Sequence, residues 1–493
     1  MALNQFTSPE GDLDNYLITE SWLIDQWVGD TLMCWGSNSY GQLGDNTTTT
    51  RYTPVTTLAG GANWKQVSGG NLLSGAIKTD GTLWTWGYNG SGQLGDNTII
   101  ARSTPVTTLA GGTNWKQVGC GSGSNHTAAI KTDGTLWTWG PNNGRLGDNT
   151  TTDRSTPVTT FAGGTNWKQV SCGSNHTAAI KTDGTLWTWG QNSTGQLGDN
   201  TTTTRYTPVT TFAGGTNWKQ VSAGYHTSAI KTDGTLWTWG SNNIYGQLGD
   251  NTTINRSTPV TTFSGGTNWK QVSSSSGTTA AIKTDGTLWT WGYNITGQLG
   301  INTITNRSTP VTTFAGGTNW KQVSAGGIHI AAIKTDGTLW VWGDNFYGNL
   351  GDNTSGITRC TPVTTFAGGT NWKQVAGGDY HTAAIKTDGT LWTWGYNSYG
   401  QIGDNTTTQR NTPVTTFAGG TNWKQVAGGQ LYTAAIKTDG TLWTWGRNNV
   451  GHLGDNTTTQ RNTPVTTFAG GTNWKQVAGG GYFTAVTYID NYQ

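Results

Sequence analysis

Apolar and polar positions come in short bursts along this chain, and the same burst returns every 51 or 52 residues. Residues 218–268 show one period. Trp218-Lys219-Gln220-Val221 reads as a short strand that buries Trp218 and Val221, and Ser222-Ala223-Gly224 interrupts it. His226-Thr227-Ser228-Ala229-Ile230-Lys231 reads as a second strand of small residues. Asp233-Gly234 follows, a strong hairpin signal that predicts a type I′ turn with positive φ at both central residues. Leu236-Trp237-Thr238-Trp239-Gly240 is the returning strand, with Trp237 and Trp239 on one face and Leu236 and Thr238 on the other. A loop then leads to Gln247-Leu248-Gly249-Asp250-Asn251, where Asp250 and Asn251 are expected to close a turn through their side chains. Thr258-Pro259-Val260-Thr261-Thr262-Phe263 predicts a fourth strand, which Pro259 confines to an edge or a strand start.

The tripeptide Asn-Trp-Lys marks nine copies, with its Trp at 64, 115, 167, 218, 269, 320, 372, 423 and 474. A unit this small cannot bury its own apolar face, so the copies must share one core. Four short strands per unit, repeated, predict an all-β, closed β-propeller of nine four-stranded blades. The chain ends support closure. Thr31-Leu32-Met33-Cys34-Trp35-Gly36 is a worn copy of the returning strand, and Tyr482 to Asp490 supplies the strand before it. One blade is therefore expected to be completed by both termini, which removes the open edges. Nine exceeds the usual four to eight blades, which keeps two rings or an open superhelix as alternatives.

Gly-x-x-His-Thr, Asp-Gly-x-Leu-x-x-Trp-Gly-x-Asn-x-x-Gly-Gln-Leu-Gly and Thr-Pro-Val blocks, seen well from Gly224-Tyr225-His226-Thr227 to Leu248-Gly249, resemble the regulator of chromosome condensation repeat. The resemblance covers residues 31 to about 490. It implies a β-propeller, usually seven-bladed, whose members include a guanine-nucleotide exchange factor and an inhibitor of β-lactamases. Copies this regular also resemble repeat proteins of marine bacteria and tailed phages. The family implies a binding surface and no single reaction. The even spacing leaves no room for the exchange factor's wedge-shaped insertion.

Composition narrows the chemistry. Charged residues make up 11% and the net charge is +2, against an electrostatic nucleic-acid binder. Gly (75), Thr and Asn are turn-and-strand composition, and 28 Trp exclude a disordered chain. The four cysteines suggest no disulfide framework. Met1 to Glu10 lacks a signal-peptide pattern, and no run of about 18 apolar residues spans a membrane. His126, His176, His226, His329 and His381 hold equivalent strand positions, but Leu73, Thr278, Tyr432 and Phe483 fill that place elsewhere. The resemblance makes these histidines structural. One Asp per Leu-Gly-Asp-Asn-Thr turn is too few oxygens for calcium, and Ile301 replaces it once, so turn capping is expected and no metal or cofactor. No paired-carboxylate site, nucleophile elbow, Walker loop or dinucleotide fingerprint occurs, so the chain is read as non-enzymatic.

Two stretches vary between copies: the one before the second strand and the one after the returning strand. Hairpin geometry puts both at one end of the strand pair, opposite the unchanging Asp-Gly turns. The varying face offers Tyr88, Tyr225, Tyr245, Tyr293, Ile328, Phe346, Tyr347, Tyr380, Tyr396, Tyr399, Tyr432, Arg447, Tyr482 and Phe483 as candidate ligand-binding residues. Aromatics among small polar residues suit protein or glycan recognition, although solvent loops also vary by drift. Residues 1–29 stand apart from the propeller at 30–493. They carry five acidic residues and no Lys or Arg, and Leu13, Tyr16, Leu17, Trp22, Leu23 and Trp27 give them apolar positions. They read as an acidic amphipathic helix, a plug or an anchor, entering on the Asp-Gly face. Together these features lead to a displayed adhesin or virion (phage tail) component at a virion or cell surface, within a larger homo-oligomeric or virion assembly. A cytoplasmic interaction or regulatory propeller is the alternative.

Overall fold

A computed structural model describes residues 30–489 apart from 61–62, 70–71, 121–125, 244, 275–276, 326–327, 473 and 480–482. The expected helix and anchor at residues 1–29 lie outside the described residues. All regular elements described are strands, gathered into nine four-stranded antiparallel sheets. The blade of residues 218–261 is typical: Trp218–Ala223, His226–Lys231, Leu236–Gly240 and Arg256–Thr261 pair in that order. The ninth sheet joins the two ends of the chain in the order Arg51–Thr56, Asp30–Gly36, Phe483–Ile489, Trp474–Gly479. Its central seam runs in unbroken register from Asp30↔Ile489 to Gly36↔Phe483.

Closure follows from the packing. Each blade's Leu face meets the Trp face of the next blade. Ala178, Ile180 and Leu186 pack against Trp218, Val221, Ala229 and Trp239. Nine such clusters exist for nine blades, and two of them involve the terminal blade. Ala434, Ile436 and Leu442 receive Trp474, Val477 and Trp35, while Leu32 and Cys34 cover Trp64, Ala76 and Trp86. Trp35 Nε1 also donates to His452 O at 2.7 Å across the closing junction, as Trp139 Nε1 donates to Gln93 O at an ordinary one. A linear stack of nine would leave two faces uncovered. The two alternatives, paired rings and an open superhelix, are thereby set aside.

The first strand of each blade is innermost. Gln66 Nε2 donates to Val118 O at 3.2 Å and Gln66 Oε1 accepts from Val118 N at 3.2 Å, so consecutive first strands are bridged by one side chain. Gln374 and Gln425 repeat the link. The Pro-bearing strand lies at the outer edge, where a missing N–H leaves no ladder bond unmade.

Two local expectations are corrected. Gly234 N donates to Lys231 O and Lys231 N to Thr235 O, and Gly234 has φ +81° while Asp233 is not left-handed. The hairpin is therefore a three-residue type I turn ending in a left-handed glycine, not type I′. Asp233 instead uses its carboxylate to accept from Thr235 N and Oγ1. A Cβ on Gly234 would sit 2.0 Å from Thr267 O, which fixes glycine there. The fourth strand ends at Thr261, and Phe263 leaves the sheet 67% exposed.

The long loop after each returning strand is built around one buried Asn. Asn242 Nδ2 donates to Asp250 Oδ1, Thr252 O and Ile254 O, and its Oδ1 accepts from Leu248 N. Asp250 caps Thr252 and pairs with Arg256 Nε at 2.5 Å; Asn251 is left-handed at φ 66°. The expected turn capping is present, with an Arg partner that the sequence reading missed. Eight copies carry the Arg–Asp pair. In the ninth, Ile301 replaces Asp, and Arg307 Nε is buried with no hydrogen-bond partner. Ile301→Asp is expected to stabilise the protein by about 1 kcal/mol in urea unfolding; an unchanged or lower midpoint would contradict this reading of the loop.

Candidate functional site

The two varying stretches meet at one end of each blade. Tyr293 N donates to Gly277 O, Tyr396 N to Tyr380 O, and Arg447 N to Leu431 O. The Asp-Gly turns lie at the other end, where Trp218 N donates to Gly184 O of the preceding blade. The chain thus has one varied face and one repeated face, because antiparallel pairing puts the end of one strand beside the start of its partner.

On the varied face, aromatic side chains reach across blade boundaries. The largest group spans three blades. Phe346 and Tyr347 come from the loop of one blade, Tyr380, Tyr396 and Tyr399 from the next, and Arg447 from the third. Ring centroids are 4.9 Å apart for Phe346–Tyr347, 4.7 Å for Tyr347–Tyr396 and 5.6 Å for Tyr347–Tyr380. Tyr396 lies 6.3 Å from Tyr399, and the Arg447 guanidinium stands 5.6 Å from the Tyr399 ring. Edge-on packing of this kind fixes each ring without burying it. Phe346 is 62% exposed, and the tyrosines are half-buried. Burial, with Asp379 nearby, raises the Tyr380 phenol above its ordinary range.

Tyr245 and Tyr293 form a separate pair at 4.7 Å. Tyr88 pairs with Tyr40 at 5.1 Å. Tyr40 was not among the expected residues, but it shares a signal with Tyr245, Tyr347 and Tyr399: Tyr immediately before Gly-Gln or Gly-Asn. Tyr225 is exposed alone and Ile328 is half-buried. Tyr432 does not belong to the surface. It is 1% exposed, fills the position that His holds elsewhere, and stacks on His452 with centroids 5.3 Å apart. Tyr482 lies outside the described residues, and Phe483 is placed only as the start of a strand. A polar hollow of about 320 Å³ lies beside Asn143, Arg145, Gln191 and Tyr206. There Arg145 stands where six other copies have Gln, one has Asn349 and one His452, and it donates to Asn175 Oδ1 at 2.7 Å.

The five equivalent histidines are latches between blades. His226 Nε2 lies 2.8 Å from Thr279 Oγ1 of the next blade. Thr279 Oγ1 donates in turn to Gln247 O at 2.8 Å, so the hydroxyl accepts and His226 must carry its proton on Nε2. His126, His176, His329 and His381 repeat the contact with Thr177, Thr227, Thr382 and Thr433. Burial pushes His126, His226 and His329 down to about 3, and His176 and His381 down to about 4.

Comparison with known proteins bears on what such a ring does. The RCC1-like domain matches residues 28–312 and 224–491. The chain is 32% identical over 228 residues to the ultraviolet-B receptor UVR8 of Arabidopsis thaliana, covering 45% of this chain and 51% of that protein. It is 30% identical over 183 residues to the probable E3 ubiquitin-protein ligase HERC4 of Homo sapiens, covering 36% of this chain and 17% of the relative. The match thus spans about half of one relative and under a fifth of the other. Among solved structures, Prp20p from Saccharomyces cerevisiae covers 95% of this chain and 93% of its own, at 16% identity and a TM-score of 0.54, a likeness of fold.

The latches set a pH dependence. Each folded pKa is depressed below the ordinary 6.5, so the unfolded chain binds more protons, and stability present above pH 6.5 is lost as pH falls toward 4. Each buried His is expected to remove up to about 1.4 kcal/mol per pH unit in that window. Thermal unfolding should show a midpoint that drops between pH 7 and 5, above the carboxylate range; a flat midpoint would contradict the latch. With ring closure, shared blade-to-blade latches and the match over residues 28–491, the chain belongs to the RCC1-like domain family.

Proposed function

We propose that this protein is a non-enzymatic, protein-binding propeller whose varied face docks a partner at the aromatic patch of Phe346, Tyr347, Tyr380, Tyr396, Tyr399 and Arg447. The observation that carries this reading is the continuity of that patch across three blades. Drift in solvent loops gives no reason for six large side chains to meet, whereas rigid tyrosines and an arginine are the residue types that anchor protein interfaces. The relatives' names point the same way. They describe a receptor, a ubiquitin ligase and a protein studied for binding Gsp1p and histones. They support the intracellular interaction or regulatory alternative over a displayed adhesin or virion component, and they offer nothing for a glycan.

Tyr347, Tyr396 and Arg447 are expected to act as anchors. In pull-downs from host extract, the wild-type chain should retain a discrete protein, and a triple Ala variant should weaken its binding about thirtyfold, the loss of about 2 kcal/mol typical of interface anchors. Tyr225→Ala should leave binding unchanged. A glycan array run beside it tests the other ligand class. Retention that is indifferent to the triple variant, or patch-dependent binding to glycans alone, would overturn the proposal.

A further inference from the structure

The repeated face carries two rings that the varied face does not. One is apolar. After each outer strand the chain crosses the Asp-Gly face to the next blade, and it leaves one large side chain in solvent on the way. These are Leu58, Leu109, Phe161, Phe212, Phe263, Phe314, Phe366, Phe417 and Phe468, each 62–67% exposed. The placement follows from hydrogen bonds: Gly214 N donates to Thr211 O, Trp218 N to Gly184 O and Thr232 N to Asn217 O, so residues 211–218 run along the turns. The position is Leu in the first two copies and Phe in the other seven, never polar, in a segment otherwise made of Thr, Ala, Ser, Gly and Asn.

The other ring is basic. Lys219 follows Trp218 at the start of the inner strand, on the same face, and so do its counterparts at 65, 116, 168, 270, 321, 373, 424 and 475. Apart from Lys475, whose side chain lies outside the described residues, all are exposed. Every ion pair among the described residues is Arg–Asp, so no inner-strand lysine there is neutralised. The remaining eight lysines, of the Lys231 type, sit at the turns between two tryptophans, with Nζ 4.6 Å from Trp218 and 4.7 Å from Trp237. All 17 lysines of the chain therefore lie on this face, against nine aspartates of the described strands and turns (Asp30 and the eight of the Asp-Gly turns). That is a surplus of eight before the five acidic residues of 1–29 and Asp490, which adjoin this face in sequence and lie outside the described residues, are counted.

We propose that the repeated face is a peripheral docking surface for an anionic lipid bilayer. Charge selects the partner's sign, and the spacing of the apolar ring selects its class. The Phe and Leu side chains stand one per blade and make no ring contacts with one another, so they form no contiguous core of the kind a protein interface buries. A bilayer needs none, because its interfacial zone accepts isolated aromatic side chains one at a time. Repetition around a closed ring brings nine such side chains to one level, which matches a plane. A second copy, face to face, would set two basic surfaces against each other. The face is separate from the aromatic patch, so adsorption would leave the varied face free.

The full chain is tested by cosedimentation with vesicles of phosphatidylcholine alone and of phosphatidylcholine with phosphatidylserine. At low salt the anionic vesicles are expected to bind at least about tenfold more protein, with the preference fading as salt rises. Changing Phe212, Phe263, Phe314 and Phe366 to Ser should cut that binding about fivefold or more. Changing Lys219, Lys270, Lys321 and Lys373 to Glu should abolish the preference. Both variants are checked for an unchanged melting temperature. Absence of anionic preference in the full chain, binding that ignores the Ser changes and is fully displaced by inorganic polyphosphate, or a Phe-dependent dimer in light scattering without vesicle binding would each overturn the proposal.

Discussion

The structure rests on one repeated contact: the Leu face of a blade against the three tryptophans of the next. Trp218 meets Trp237 and Trp239 edge-on, with centroids 6.2 and 6.1 Å apart, and Ile180 and Leu186 close over them. A four-stranded sheet this small has no core of its own, so both of its faces must be covered by neighbours. Every other constraint follows from keeping that contact tight. The Leu-Gly turn must pass beside Trp239, and a Cβ on Gly198 would lie 2.7 Å from its Nε1. The Lys231 stem seals the rim of the tryptophan pair with its charge over their faces. At the terminal blade the same contact is made by Trp35 and Trp474, whose rings lie 6.2 Å apart although they come from opposite ends of the chain.

Burying both faces of every blade leaves only the two ends of the strands free to carry function, and the two ends are used differently. The turn end touches the neighbouring blade through Trp218 N and Gly184 O, so its sequence hardly changes between copies. The loop end is held from below by the buried Asn242 network, which leaves the residues above it free to differ. Tyrosines accumulate there in pairs and in one larger group, while the repeated end keeps its lysines and its exposed Phe. A single scaffold thus presents a varied surface on one side and a uniform one on the other.

Much of this was legible in the sequence. The period, the four strands per unit, the blade shared by the termini and the segregation of variable residues follow from Trp, Gly and Asp-Gly spacing alone. The missed features are local contacts and strand ends that the apolar and polar pattern does not display. The Arg256–Asp250 pair joins the start of the outer strand to a turn that the sequence reading had treated by itself. Tyr432 is expected both at the His position and on the varied face, and its strand register settles this by burying it where His stands elsewhere. Phe263 looked like a strand residue because it is apolar and follows Thr-Pro-Val, but the sheet ends two residues earlier. Asp-Gly indicated the right place for a hairpin and the wrong turn, since the same dipeptide also ends a three-residue loop.

The account depends on the ring being closed by the two ends of the chain, and native-state hydrogen exchange tests this most directly. Amides of Asp30–Gly36 and Phe483–Ile489 should exchange about as slowly as those of His226–Lys231 and Leu236–Gly240, within roughly an order of magnitude, because a closed ring opens as a unit. Rapid exchange confined to the terminal strands, with the rest protected, would show that the ends fray independently and that the nine blades do not form a closed circle.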